Sequence, residues 1–134
     1  MVTRNRAAVF CDFTLARLTI AELRACDEAG ICQTLSFVLM PDHLHWLVKL
    51  ETGDLHNLVR RFKSRSAAAV NRVCGMLGIS VWQRGYHDHA VRDDEDIRAI
   101  ARYIVANPLR AKLVDNIMDY PHWDAVWCKG VVRG

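Results

Sequence analysis

Between Thr14 and Ala29 the apolar positions Leu15, Leu18, Leu23 and Cys26 recur at helical spacing, and Gly30 stands where a helix should stop. Cys32 to Met40 is a dense apolar run in which Leu35, Phe37 and Leu39 alternate with Thr34 and Ser36, the pattern of a buried strand. Pro41 cannot donate to a sheet ladder and Asp42 favours a turn, so His43 to Leu50 is expected to return as the second arm of a hairpin. From Asp54 the period becomes helical. Leu55, Leu58, Val59, Phe62, Ala69, Val70, Val73 and Leu77 form one stripe, with Gly78 expected to end it.

Val81 to Val91 reads as a third strand. Asp93 is expected to cap the next helix, with Asp94, Glu95 and Asp96 in its first turn and Ile97, Ile100, Ala101 and Ile104 as its stripe. Pro108 should end that helix near Asn107. The tail, with Tyr120-Pro121-His122-Trp123 and Trp127, is expected to be irregular and to pack over an edge. Including a short first strand, the order fits an α+β fold, a ferredoxin-like or RRM-like antiparallel sheet packed with helices.

Composition narrows this reading. The chain has 134 residues, 51% of them hydrophobic and 25% charged, the balance of one folded domain spanning 1–134. No apolar run approaches the roughly 18 residues that span a membrane, and no apolar segment follows the basic N-terminus. A cytoplasmic protein with no membrane partner is expected. Five scattered cysteines without a C-x-x-C pair suit reduced thiols, with Cys26 and Cys74 as small core residues.

Net charge is only +3, but its distribution is uneven. Eight basic residues lie between His43 and Arg92 against three acidic ones, a balance compatible with a phosphate-binding face or with solvated helix charge. Arg60, Arg61, Lys63, Arg65 and Arg84 are the DNA-binding candidates within it.

His43-Leu44-His45 is the first chemical candidate. Strand residues two apart share a face, so both imidazoles project together and can grip one divalent ion. Two half-buried, hydrogen-bonded histidines are the plainer explanation of such a pair. Tyr103 and Asn107 share a helix face at i, i+4, at the edge of the apolar stripe. A phenol there can act as nucleophile if a nearby cation helps it, and an amide oxygen suits a hard ion. Packing and helix termination explain the same two residues without chemistry. His87-Asp88-His89 is a second pair, expected at the surface; Tyr86 and Tyr120 are the rival nucleophiles, and His56 and His122 are isolated.

Together these pieces resemble one family. Ser36-Phe37-Val38-Leu39-Met40-Pro41-Asp42-His43-Leu44-His45-Trp46-Leu47-Val48 is similar to the His-hydrophobic-His strand of the HUH single-tyrosine transposases, REP-associated tyrosine transposases above all. Arg61-Phe62-Lys63-Ser64 resembles their basic helix, Val81 to His89 the following strand, and Ala101 to Ala111 the tyrosine helix. Asp119-Tyr120-Pro121-His122-Trp123 resembles the C-terminal segment. The resemblance implies Tyr103 as nucleophile, His43, His45 and Asn107 as ligands of Mg²⁺ or Mn²⁺, and a 5′-phosphotyrosine intermediate on single-stranded or hairpin DNA of palindromic repeats. A monomer or homodimer is compatible with it. Family members begin further upstream, so a truncated first strand is expected here. The competing expectations are a non-catalytic nucleic-acid-binding module and a metal-dependent hydrolase without covalent catalysis.

Overall fold

Capping aspartates begin the three long helices. In a computed structural model, which describes residues 1–76, 78–92 and 95–128, the Asp12 side chain accepts from Leu15 N at 3.1 Å and opens α1 (Phe13–Glu28). Asp54 does the same for Asn57 N at 2.8 Å and opens α2 (Leu55–Cys74). Asp96, not Asp93, opens α3 (Ile97–Val105) by accepting from Ala99 N at 3.2 Å. Asp93 and Asp94 lie outside the described residues. Glu95 precedes the helix and bonds His89 and Arg92 N instead.

The hairpin forms where the alternation places it, as β1 (Cys32–Met40) and β2 (His43–Leu50), antiparallel from Met40↔His43 to Cys32↔Leu50. The register shifts between Thr34 and Ser36, a bulge at Leu35. That extra residue reverses the parity, so Cys32 and Phe37 reach the same layer. A third strand, β3 (Trp123–Ala125), pairs with β1 from Ser36↔Ala125 to Val38↔Trp123, giving the order β2-β1-β3. The tail is therefore part of the sheet, where an irregular edge cover was expected. Three residues are too few to display an alternation in sequence.

The expected strand over Val81–Val91 is not formed. Trp82 alone makes a bridge, to Thr3, while Val2 bridges His43 on the free edge of β2. The expected short first strand is thus reduced to these bridging residues. Lys63 and Trp82 explain why the later segment leaves the sheet. The Trp82 indole N–H donates to Ser66 Oγ at 2.9 Å, and its ring packs against Phe10 and Phe62. The Lys63 ammonium donates to the carbonyls of Gln83 and Gly85. Val81 O and Gln83 N bond the backbone of Arg4 and Val2, and the next carbonyls are satisfied by a side chain of α2 rather than by a ladder.

Each sheet face has its own core. Phe37, Leu39 and Leu44 pack with Ala16, Ile20 and Leu23 of α1 and with Leu58, Phe62 and Val70 of α2. On the other face Val38, Met40, Tyr120 and Trp123 pack against Ile104 and Val105 of α3. The α2 stripe ends sooner than its pattern suggests. Gly75, with φ +70°, caps it in the left-handed conformation, and Val73 and Cys74 are exposed, so Cys74 is not a core residue. Pro108 does not end the helical path either. It occupies the first turn of α4 (Asn107–Arg110), where its missing N–H leaves no bond unmade.

Candidate active site

Period-2 alternation along β2 sends Leu44 and Trp46 into the layer of α1 and α2, and His43 and His45 to the face covered by α3. Their cross-strand neighbours on that face are Met40 and Val38, the residues against which α3 packs. The two imidazoles lie edge to face with centroids 4.9 Å apart. His43 Nδ1 is 2.7 Å from Asp42 Oδ1, and a carboxylate there accepts from Nδ1–H and leaves the lone pair on Nε2. Arg6 holds the second Asp42 oxygen at 3.3 Å. The His45 imidazole is pushed down to about 4 from its ordinary 6.5. Desolvation contributes most, followed by the charges of His43, the Met1 amine and Arg110. At neutral pH it is uncharged.

Tyr103 stands on α3 with 66% of its surface exposed, while Ala101 and the partly buried Ile104 and Val105 face the sheet. The Arg110 guanidinium lies over its ring, 3.7 Å from the centroid. Arg110 is also the last of the charges that lower the His45 pKa. Asn107 begins α4 and its amide donates to Ile104 O at 3.0 Å, which turns the amide oxygen into the free end. Two imidazoles and an amide oxygen suit a divalent ion that keeps positions open for phosphate or water. Among the described residues no cluster of three His, Cys, Asp or Glu side chains forms, here or elsewhere.

The rival tyrosines separate cleanly. Tyr120 is buried, donates to Leu39 O at 2.6 Å, and burial pushes its phenol up to about 12, so it is a structural residue. Tyr86 is partly buried in the irregular stretch after Trp82. His87 and His89 are exposed as expected, and His89 pairs with Glu95 at 3.0 Å.

The basic helix is not brought to this site. Arg60, Arg61 and Arg65 line an open cleft of about 620 Å³ with Ile31, Thr52 and Asp54. That cleft lies at the far end of the hairpin, seven strand residues or about 23 Å from His43, and α2 packs on the opposite sheet face. Arg65 is paired with Glu22 at 3.0 Å. The Lys63 ammonium donates to backbone carbonyls and ties α2 to the stretch after Trp82, and burial lowers its pKa. Arg84 is exposed beside the Trp82 bridge. Sequence reading passed over Arg110 and Asp42. Arg110 was findable, since it stands seven residues from Tyr103, two helical turns along.

His122 is buried between the rings of Phe13 and Tyr120, at 5.4 and 5.7 Å, and burial followed by Arg17 lowers its pKa. The unfolded chain takes up a proton there near 6.5 and the folded chain only at lower pH. Stability is therefore expected to fall as pH drops below 6.5. His122→Phe should flatten the change in urea midpoint between pH 7 and pH 5; an equal drop in both proteins would remove His122 from the account.

A sequence model of the family described as Transposase IS200 like matches residues 1–107. The chain belongs to the IS200-like transposase family. An Escherichia coli K12 protein named REP-associated tyrosine transposase is 30% identical over 101 residues, covering 74% of this chain and 56% of its own length. A Haemophilus influenzae protein whose name places it in the same class is 26% identical over 100 residues, covering 67% of this chain and 57% of its own. This IS200-like chain thus spans little more than half the length of either relative. The solved structure of a REP-associated tyrosine transposase bound to a REP hairpin superposes with a TM-score of 0.71. It covers 91% of this chain and 72% of that one at 22% identity, a likeness of fold. Among the described residues of this transposase-family chain no helix is long and apolar enough to cross a membrane.

Proposed function

We propose that this chain cuts and rejoins single-stranded DNA through a 5′-phosphotyrosine intermediate on Tyr103. One observation carries the reading: an exposed tyrosine, with Arg110 over its ring, rides on the helix that covers the sheet face of His43 and His45. Tyr103 attacks the phosphate and leaves a free 3′-hydroxyl. Because the tyrosyl link keeps the phosphodiester energy, a 3′-hydroxyl can reverse the step or join a new strand. His43, His45 and Asn107 would hold Mg²⁺ or Mn²⁺, which when bound polarises the scissile phosphate. Asp42 fixes the His43 tautomer, and the low proton affinity of His45 keeps its ring available. Hairpins of palindromic repeats are the proposed substrate class, supported by the hairpin that the solved REP-associated transposase holds. The test is a denaturing gel for a covalent protein–DNA adduct. Hairpin binding without any adduct would favour a non-catalytic binding module instead.

The α2 arginines serve a different part of the same DNA in this reading. Their place at the far end of the hairpin from His43 suits contacts to a hairpin stem rather than to the phosphate being cut. The triple variant Arg60→Ala, Arg61→Ala, Arg65→Ala is expected to flatten the salt dependence of hairpin binding, by about 0.9 in log–log slope for each duplex phosphate lost. Its adduct rate at saturating DNA should stay near that of the unmodified protein. An unchanged slope would show that this cleft does not meet DNA.

A further inference from the structure

We propose that Arg110 is a catalytic phosphate clamp, binding the scissile phosphate directly beside the Tyr103 hydroxyl. This rests on the nuclease reading above and assigns a residue within it. Three observations converge on Arg110. Its guanidinium lies over the Tyr103 ring at 3.7 Å, far closer than the other two arginine–aromatic pairs, Arg24 over Phe37 at 5.8 Å and Arg98 over Trp127 at 5.7 Å. Arg24 is already committed to Asp124. Among the described residues, in contrast, no carboxylate pairs with Arg110 and its side chain makes no hydrogen bond.

Stacking occupies only the flat face of a guanidinium. The five N–H donors point outward in the plane, the edge that matches two phosphate oxygens. The Asp42 carboxylate beside His43 is already taken by His43 and Arg6. An unpaired guanidinium over the ring of an exposed phenol is open to an anion, and a phosphodiester is the anion that Tyr103 attacks.

The local backbone explains how Arg110 gets there. Ala106 keeps helical dihedrals between α3 and α4, and Ala106 O accepts from Arg110 N at 3.1 Å. The helical path therefore continues through Pro108, and residues 103 and 110 fall two turns apart on one side. In the reaction, Tyr103 Oη forms the new bond to phosphorus as the bond to the 3′-oxygen breaks. The phenolic proton leaves to solvent, and the 3′-oxygen takes one up; nothing is oxidised. Arg110 stays cationic throughout and holds two non-bridging oxygens, which keeps the phosphate in line and offsets the charge gathering on it.

The test uses the full chain with a labelled single-stranded DNA library carrying a fixed hairpin and randomised flanks, with Mn²⁺ present. Adduct formation at saturating DNA is timed for the unmodified protein, Arg110→Ala and Arg110→Lys, and affinity is measured in the Tyr103→Phe background. Arg110→Ala is expected to slow the adduct by about 10²- to 10³-fold, the loss typical of one donor to a developing oxyanion. Affinity should stay within a few fold. Free guanidinium at millimolar concentration should restore the alanine variant at least tenfold, which a merely misfolded protein would not allow. Arg110→Lys should remain slow, because a point charge cannot stack and fork together. Unmodified rates in Arg110→Ala, or in Arg110→Lys, overturn the clamp and leave the nuclease reading standing. No adduct from the unmodified protein overturns both.

Discussion

Tyr103→Phe is expected to abolish the covalent adduct and DNA cleavage while leaving hairpin affinity within a few fold. The substitution removes one oxygen and keeps the ring on which Arg110 lies, so the packing of α3 against β1 is untouched. Only the oxygen can form the phosphate ester. The ring is mostly exposed, so no buried partner is left unsatisfied and the unfolding midpoint should hardly move. Tyr120→Phe should show the reverse pattern. It leaves Leu39 O without a donor in a buried place and should cost about 1–2 kcal/mol of stability, with the adduct still formed. Tyr86→Phe is the neutral control. An adduct that persists in Tyr103→Phe and disappears in Tyr86→Phe or Tyr120→Phe would move the nucleophile to another residue.

What could be read from the sequence followed the length of the pattern. Nine residues of alternation before Pro41-Asp42 and eight after it located both hairpin strands, and with them the shared face of His43 and His45. The change of period at Asp54 located the start of α2, but the glycines after it were ambiguous. Gly75 and Gly78 both take positive φ. The choice between them is made by Asn71, whose carbonyl accepts from Met76 N and whose amide donates to Ile79 O, contacts no periodicity displays. The strand expected after Val81 failed because Lys63 satisfies two of its carbonyls from another element. Strand β3 was missed because it exists only through β1, which supplies its partners across nearly ninety positions of chain.

The same logic divides the site. Tyr103 and Asn107 are visible as an i, i+4 pair, and His43 and His45 as an i, i+2 pair, because each pair lies within one element. That the pairs share a sheet face requires the core of Val38, Met40, Ile104 and Val105. Basic charge did not point to the tyrosine. The strongest cluster, on α2, belongs to the layer beyond the sheet, and one of its members is spent on holding the chain at Gly85. The cation that reaches Tyr103 is instead the isolated Arg110.

His43→Ala is expected to lower cleavage by about 10³-fold, on the scale of the several kcal/mol that Lewis-acid help contributes to phosphoryl transfer. Its effect should be separable from that of Tyr103→Phe, because it acts through the ion and not through the ester. Excess Mn²⁺ should recover part of the rate if affinity is what was lost, whereas no ion can replace the missing phenol. Asp42→Asn is the graded form of the same experiment. It keeps the neighbour of His43 Nδ1 but removes its charge, and with it the firm choice of tautomer. A loss of metal affinity between 10- and 100-fold is expected there, smaller than for His43→Ala. Direct Mn²⁺ titration followed by electron paramagnetic resonance reads this without any turnover, on proteins carrying Tyr103→Phe to silence the chemistry. If His43→Ala in that background binds Mn²⁺ as tightly as its parent, the ion is not held by β2. The pair His43–His45 would then be a hydrogen-bonded feature of the strand, with Asp42 as its only partner of consequence.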